Sequence, residues 1–132
     1  MNAYLNIENL SSGYSSEAMA IRHIDMQLPK NKVCAVLGSN GAGKTTLLKS
    51  IMGILPTYTG TITVDGQIIN NMGIEERAHI GIGYVPQGRF IFPHLSVEEN
   101  LVLGCEVKKL VTKKAKEIGY GFFPCVSRYS QT

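Results

Sequence analysis

The sequence has no run of about 18 consecutive apolar residues, the length that a helix needs to cross a bilayer, so we expect no membrane-spanning helix. Its first residues lack the basic region and the apolar stretch of a secretory signal peptide. Cysteine is scarce, and Cys34, Cys105 and Cys125 are too widely spaced and odd in number for a disulfide framework or a zinc site. These absences favour a protein of the reducing cytoplasm with free thiols.

Charge is also sparse. Charged residues make up 17% of the chain and the net charge is +3, which is too small to select a partner by itself. Apolar residues make up 44%, as is typical of a folded globular protein. A length of 132 residues suits one domain and is short for two ordinary ones.

The pattern of apolar residues predicts an α/β fold. The run at 33–37 is apolar throughout and of strand length, which favours a strand buried on both faces. Asp65-Gly66 separates two short β-prone segments and predicts a hairpin turn. Ser96 and Glu99 have the spacing of a capping box and predict the start of a helix. The expected strands are 5–10, 21–28, 33–37, 61–64, 67–69 and 82–85, with a loop at 11–16 and helices at 45–54 and from 97 to about 117.

The strongest motif is a phosphate-binding loop with the spacing G-x-x-x-x-G-K-S/T. Its glycines let backbone N–H groups converge on phosphate oxygens, and the helix that follows adds its positive end. Lys44 can reach the β- and γ-phosphates, the Thr45 hydroxyl can ligate Mg²⁺, and Thr46 is expected near the α-phosphate. A chance match is conceivable in a chain with 14 glycines, but the strand and helix predicted on either side favour a real site. The predicted nucleotide-binding residues here are Gly38, Ser39, Asn40, Gly41, Ala42, Gly43, Lys44, Thr45 and Thr46.

This loop, continued by Thr46-Leu47-Leu48, resembles that of the ATP-binding subunits of ABC transporters. Further stretches agree with the family in order and spacing: LSSGY at 10–14, TGTI at 59–62, IGYVPQ at 82–87 and LSVEENL at 95–101. The resemblance implies a P-loop nucleoside triphosphate hydrolase fold with an antiparallel β subdomain, and MgATP as the ligand. It divides the chain into residues 1–96, carrying the β subdomain, P-loop core and Q-loop, and 97–132, the start of a helical subdomain.

The resemblance also assigns roles to two residues outside the loop. Tyr14 lies where the family stacks an aromatic ring on adenine, whereas its spacing alone favours ordinary packing in a loop. Gln87 lies at the Q-loop, where its amide would ligate Mg²⁺ or orient the attacking water as the tentative catalytic residue, and sense the membrane partner.

Three further stretches, near residues 84–93 and in the last helix, bear on the partners of the protein. The run Phe90-Ile91-Phe92-Pro93 fits either a docking surface for a transmembrane permease subunit or a buried loop anchor. The lysine-rich part of the last helix favours a solvated face, and without interleaved aromatic residues it does not indicate nucleic-acid binding. The stretch 84–89, together with 91–93 and 98–101, is similar to the branch that takes up branched-chain amino acids, urea or short-chain amides. The combination of Gln87 with 91–93 favours the urea type.

The sequence contains no L-S-G-G-Q-like signature, no second acidic motif and no later switch histidine, since His23, His79 and His94 all come too early. In the family these elements complete hydrolysis across a head-to-tail dimer with a second ATP-binding subunit, on the inner face of the plasma membrane. We therefore expect a truncated ATP-binding subunit or a non-catalytic nucleotide-binding remnant. A different P-loop enzyme, such as a small-molecule kinase, is disfavoured by Tyr14, the hairpin and the Gln87 stretch. The tail from Cys125 to Thr132 has no counterpart in the family.

Overall fold

The computed structural model describes residues 3–88 and 90–106, with residues 117, 119 and 121, and the side chains of 104–106 lie outside this description. The chain divides into two units, the first ending at Tyr84 and the second starting at Val85. The elements are β1 (Ala3–Gly13), β2 (Met19–Pro29), α1 (Lys44–Met52), β3 (Thr57–Val64), β4 (Gln67–Ile68), α2 (Ile74–His79) and α3 (Val97–Glu106). None of the helices in the described part of the chain combines the length and the apolar character needed to cross a bilayer.

The first unit is built on an antiparallel sheet with the strand order β2-β1-β3-β4. In β1 an extra residue at Asn9, with φ of 51°, shifts the register between Ile7 and Leu10. This bulge places two apolar residues at an odd spacing on the same buried face, where simple alternation would have separated them. The core cluster consists of Ile7, Leu10, Ile21, Leu47, Ile62, Val64 and Ile69.

The hairpin predicted at Asp65-Gly66 is confirmed. Both residues have positive φ, 47° and 82°, and they join β3 to β4. Positive φ at both central residues gives a turn whose twist matches that of the paired strands. The side chain of Asn70 extends the pairing, since its Oδ1 accepts from Ile62 N at 2.8 Å and its Nδ2 donates to Gly60 O at 2.9 Å.

Helix α1 packs against this sheet and ends in a Schellman motif at Gly53, whose φ is 80°. Gly53 N donates to Ser50 O at 3.1 Å, and Ile54 N donates to Lys49 O at 2.9 Å. Arg77 of α2, only 2% exposed, completes the end of the helix, because its Nη1 donates to Ser50 O at 2.7 Å and to Ile51 O at 2.9 Å. Its burial lowers the pKa of the guanidinium from the ordinary value.

Two strands predicted from apolar runs do not form. Residues 33–37 and 82–85 have no strand conformation, and Val33 and Leu37 are 98% and 89% exposed. The reason is that a strand needs a pairing partner as well as an apolar sequence, and no strand in the described part of the chain pairs with either segment. The prediction of a loop at 11–16 is also wrong in part, because β1 continues to Gly13. Helix α2 is an element that the apolar pattern did not predict.

In the second unit the predicted capping box is confirmed at the start of α3. Glu99 Oε2 accepts from Ser96 N at 2.7 Å and from Ser96 Oγ at 2.8 Å, while Glu99 N donates to Ser96 Oγ at 3.2 Å. These hydrogen bonds lower the pKa of the Glu99 carboxyl, the backbone bond most strongly. Residues 107–116 of the predicted helix, which include its lysines, and residues 122–132, which include the tail, lie outside the described residues.

Replacing Arg77 by Met should lower the free energy of unfolding by about 2–4 kcal/mol, because carbonyl oxygens of Ser50, Ile51, Asn70 and Met72 lose their buried donor. Chemical denaturation of the full chain measures this. Arg22→Met removes an exposed arginine from β2 and should change stability by no more than about 0.5 kcal/mol. Equal losses of unfolding free energy in the Arg77→Met and Arg22→Met variants would contradict the role assigned to Arg77.

The capping box should also make α3 sensitive to pH. Because the carboxyl pKa of Glu99 is lowered in the folded chain, its stabilising effect is present above the ordinary pKa of a glutamate and is lost as pH falls through the lowered value. Amide hydrogen exchange across α3 should show stronger protection in the native chain than in Glu99→Gln at pH 6, and this difference should shrink as the pH is lowered. A difference that persists at acid pH would contradict this.

Candidate phosphate-binding site

The phosphate loop connects the exposed segment before Gly38 to the start of α1. Ala42 N donates to Ser39 O at 3.2 Å and closes a turn, and Gly41 and Gly43 have φ of 84° and 91°. L-residues with a Cβ avoid these angles, so the glycines are required by the shape of the loop. The loop residues from Gly38 to Ala42 are all exposed, which leaves their backbone open to a ligand.

Gly43 has a second reason to be a glycine. It is the N-cap of α1, and a Cβ on it would collide with Ile21 Cγ2 and lie 3.1 Å from Ala20 O. The start of α1 therefore lies directly against β2. This close packing fixes the phosphate loop to the sheet.

The first turn of α1 presents unpaired donors. The first intrahelical bond runs from Leu47 N to Gly43 O at 2.9 Å, so the N–H groups of Lys44, Thr45 and Thr46 have no acceptor within the helix. The first turn also contains no acidic residue. Free N–H groups and the positive end of the helix dipole together form a site for an anion.

The ammonium of Lys44 adds a full positive charge to this site. Its Nζ donates to Gly38 O at 2.7 Å and to Ser39 O at 2.6 Å, so the side chain folds back over the loop. An ammonium has three N–H donors, and these two carbonyls leave one for a phosphate oxygen. These contacts hold the charge at the loop.

The two threonines differ in position. Thr45 is exposed, as a hydroxyl that contacts a metal ion and a phosphate must be, whereas Thr46 is only 6% exposed. The Thr46 side chain therefore lies in the interior, and its backbone N–H is the group that it offers to a ligand. Its carbonyl oxygen lies 2.7 Å from Ser50 Oγ.

Tyr14 follows the end of β1 in the same unit and is 69% exposed. The Nζ of Lys49, on α1, lies 6.0 Å from the centroid of its ring. Since α1 rises about 1.5 Å per residue, Lys49 lies about 7.5 Å along the helix from Lys44. Lys49 has no signal in the sequence, because its pairing with Tyr14 has no fixed spacing.

In the first unit, one cavity lies beside the phosphate loop and another lies away from it. One of about 350 Å³ borders the loop at Ala42, Gly43 and Lys44, but its other walls are largely apolar, from β2 and residues 34–37. One of about 470 Å³ lies near the Asp65-Gly66 turn and contains no residue of the phosphate loop. The apolar walls of the cavity beside the loop suit a charged phosphate less well than the open loop does. Among the described side chains, no cluster of three or more His, Cys, Asp or Glu is placed to hold a metal ion, and Cys34 is a free, exposed thiol.

Gln87 and the predicted docking run belong to the second unit. Gln87 is exposed in a bend, and Phe90, Ile91 and Phe92 are 74%, 70% and 60% exposed. Within the described part of the chain, the run is therefore not a buried anchor. The run is held in place by Asn100, whose Oδ1 accepts from Phe92 N at 2.9 Å and whose Nδ2 donates to Phe92 O at 3.1 Å.

Comparison with known proteins agrees with this geometry. The sequence model of the family described as ABC transporter matches residues 21–127. The lipopolysaccharide export system ATP-binding protein LptB of Haemophilus influenzae is 36% identical over 112 residues, which are 85% of this chain and 46% of that protein. The probable branched-chain amino acid transport ATP-binding protein LivF of Archaeoglobus fulgidus is 39% identical over 97 residues, 74% of this chain and 41% of that protein.

Among solved structures, cbiO1 from Clostridium perfringens, part of the ABC transporter complex cbiONQ, matches with a TM-score of 0.71 and 30% identity. The match covers 89% of this chain and 47% of that one. It confirms the predicted fold class. The chain spans about half the length of the relatives that it matches.

The two glycines offer a test of the packing at the loop. Gly43→Ala should lower the free energy of unfolding by about 2–4 kcal/mol, from an unfavourable φ and a collision with β2. Gly41→Ala is the matched control, because its φ is also positive but its surroundings are open, and we expect a loss of about 1 kcal/mol. Thermal and denaturant unfolding measure both; a Gly41 variant as unstable as the Gly43 variant would show that packing against β2 is unimportant.

Proposed function

Because this chain belongs to the ABC transporter family, we propose that it binds ATP, with the phosphates on residues 38–46 and the adenine on Tyr14. The observation that carries the proposal is the start of α1, where unpaired N–H groups and the Lys44 ammonium converge on an exposed loop. These groups complement the charge of a triphosphate, and the exposed ring of Tyr14 offers a flat apolar face to the base.

Mg²⁺ fits the same site through oxygen ligands, the type that this ion prefers. The exposed Thr45 hydroxyl would hold the ion together with phosphate oxygens. Gln87 is proposed as a Mg²⁺ ligand from the family resemblance alone. When bound, the ion would offset phosphate charge. The family resemblance makes Gln87 the proposed residue for orienting the attacking water.

For the protein as a whole, we propose an ATP-binding subunit that energises solute transport on the cytoplasmic face of the plasma membrane. The exposed run Phe90-Ile91-Phe92 would contact a permease subunit, and a second ATP-binding subunit would complete the nucleotide site. The cbiO1 protein, which is part of a transporter complex, supports such partners.

Uptake of branched-chain amino acids, urea or short-chain amides is our proposal for the solute class. The 39% identity to LivF supports it, together with the residues at 84–93. The similarity to LptB, an export protein by name, makes export the alternative. Uptake assays in cells that carry or lack the gene, with labelled leucine and labelled urea, would separate these solutes.

The removal of the loop lysine tests ATP binding directly. Lys44→Ala should weaken ATP binding by about 30- to 100-fold in calorimetry, because it removes a charge-assisted hydrogen bond to phosphate. The exposed Lys32 provides the matched control, and Lys32→Ala should bind ATP like the unaltered chain. Absence of ATP binding by the unaltered chain, or equal affinity in all three proteins, would refute the proposal.

The alternative of a non-catalytic remnant has its own test. The 132-residue chain contains neither the signature nor the second acidic motif described above, so by itself we expect it to bind ATP without sustained hydrolysis. Release of phosphate over many turnovers, measured with purified chain and Mg²⁺, would contradict this expectation. The Lys44→Ala variant controls for a contaminating ATPase, since contamination would leave the rate unchanged.

A further inference from the structure

We propose that Lys49 is a positioning residue for the nucleotide base, which it affects by holding the ring of Tyr14. Its Nζ lies 6.0 Å from the centroid of that ring, within the range of a cation–π interaction. This inference rests on the proposed binding of ATP, because it concerns the orientation of the residue that would stack on adenine.

The backbone that carries Tyr14 is fixed to the same helix. The hydroxyls of Ser50 and Ser12 lie 2.6 Å apart, both side chains are fully buried, and Ser12 Oγ donates to Pro56 O at 2.7 Å. Two consecutive residues of α1 therefore act on the end of β1: Ser50 holds the strand, and Lys49 contacts the ring two residues beyond it.

The ring itself has few other constraints. Tyr14 is 69% exposed and begins the segment 14–18 between β1 and β2, where Ala18 N donates to Ser15 Oγ at 3.0 Å. An exposed aromatic side chain samples several rotamers, and a base that stacks on it must first select one. By favouring one orientation before binding, Lys49 would reduce this entropic cost.

This mechanism predicts that Lys49 affects the binding of the base and not the binding of the phosphates. If Lys49 acts through Tyr14, its removal weakens binding of ATP and leaves binding of inorganic tripolyphosphate unchanged. If the Lys49 charge acts on the phosphates directly, the two ligands lose affinity together. The two mechanisms therefore predict different ratios of the affinity for ATP to the affinity for tripolyphosphate.

The experiment is calorimetric titration of the full chain with ATP and with tripolyphosphate. In Lys49→Met we expect ATP to bind about threefold more weakly and tripolyphosphate to bind as before. Lys49→Arg should restore ATP binding, because a guanidinium also interacts with an aromatic face. In a Tyr14→Ala background, Lys49→Met should have no further effect on ATP affinity.

A second lysine–tyrosine pair supplies the matched control. Lys30 Nζ lies 5.7 Å from the ring centroid of Tyr4, and Lys30 lines the cavity near the hairpin turn and not the one beside the phosphate loop. Lys30→Met should leave both affinities unchanged. Circular dichroism tests whether each variant is folded, and Lys49→Gln replaces Lys49→Met if the latter is not.

Equal losses of affinity for ATP and for tripolyphosphate would overturn the positioning role. Additive losses of ATP affinity from Tyr14→Ala and Lys49→Met would do so too, and so would unaltered ATP affinity in Lys49→Met. None of these results would contradict the proposed binding of ATP. Failure of the unaltered chain to bind ATP would instead refute the proposed function, and this inference with it.

Discussion

The position of α1 depends on Ser50, a fully buried residue that is hydrogen-bonded on two sides. Its hydroxyl lies 2.6 Å from Ser12 Oγ and 2.7 Å from Thr46 O, and it can donate its single proton to only one of them at a time. Its carbonyl accepts from the buried Arg77 at 2.7 Å. A helix of nine residues is marginal in water, so α1 needs such tertiary contacts to be stable.

The proposed function follows from this anchoring, because a phosphate site requires fixed donors. The C-terminal end of α1 is held by Arg77 and the glycine at position 53, and its N-terminal end lies against β2 at Gly43. The N–H groups of the first turn are thus held towards the loop before any ligand arrives. Preorganised donors of this kind bind an anion without the cost of ordering the loop.

Family membership and local geometry inform different parts of the function. The phosphate chemistry can be argued from residues 38–46 in this chain, because each contributing group and its exposure are known. The solute cannot be argued from these residues, since none of them would contact it, and relatives named for export and for amino acid transport are similarly close. The solute class therefore rests on similarity, whereas ATP binding rests on geometry as well.

By itself the sequence determined the features that depend on neighbouring residues: the phosphate loop, the turn at Asp65-Gly66 and the capping box at Ser96. Their physics is local, because backbone angles and short hydrogen bonds fix them. Only the tertiary structure decided that residues 33–37 lie exposed, that Thr46 faces inward, and that Arg77 and Lys49 contact α1 and Tyr14. These outcomes depend on partners distant in sequence, and an apolar run or a lone cation does not specify what will pack against it.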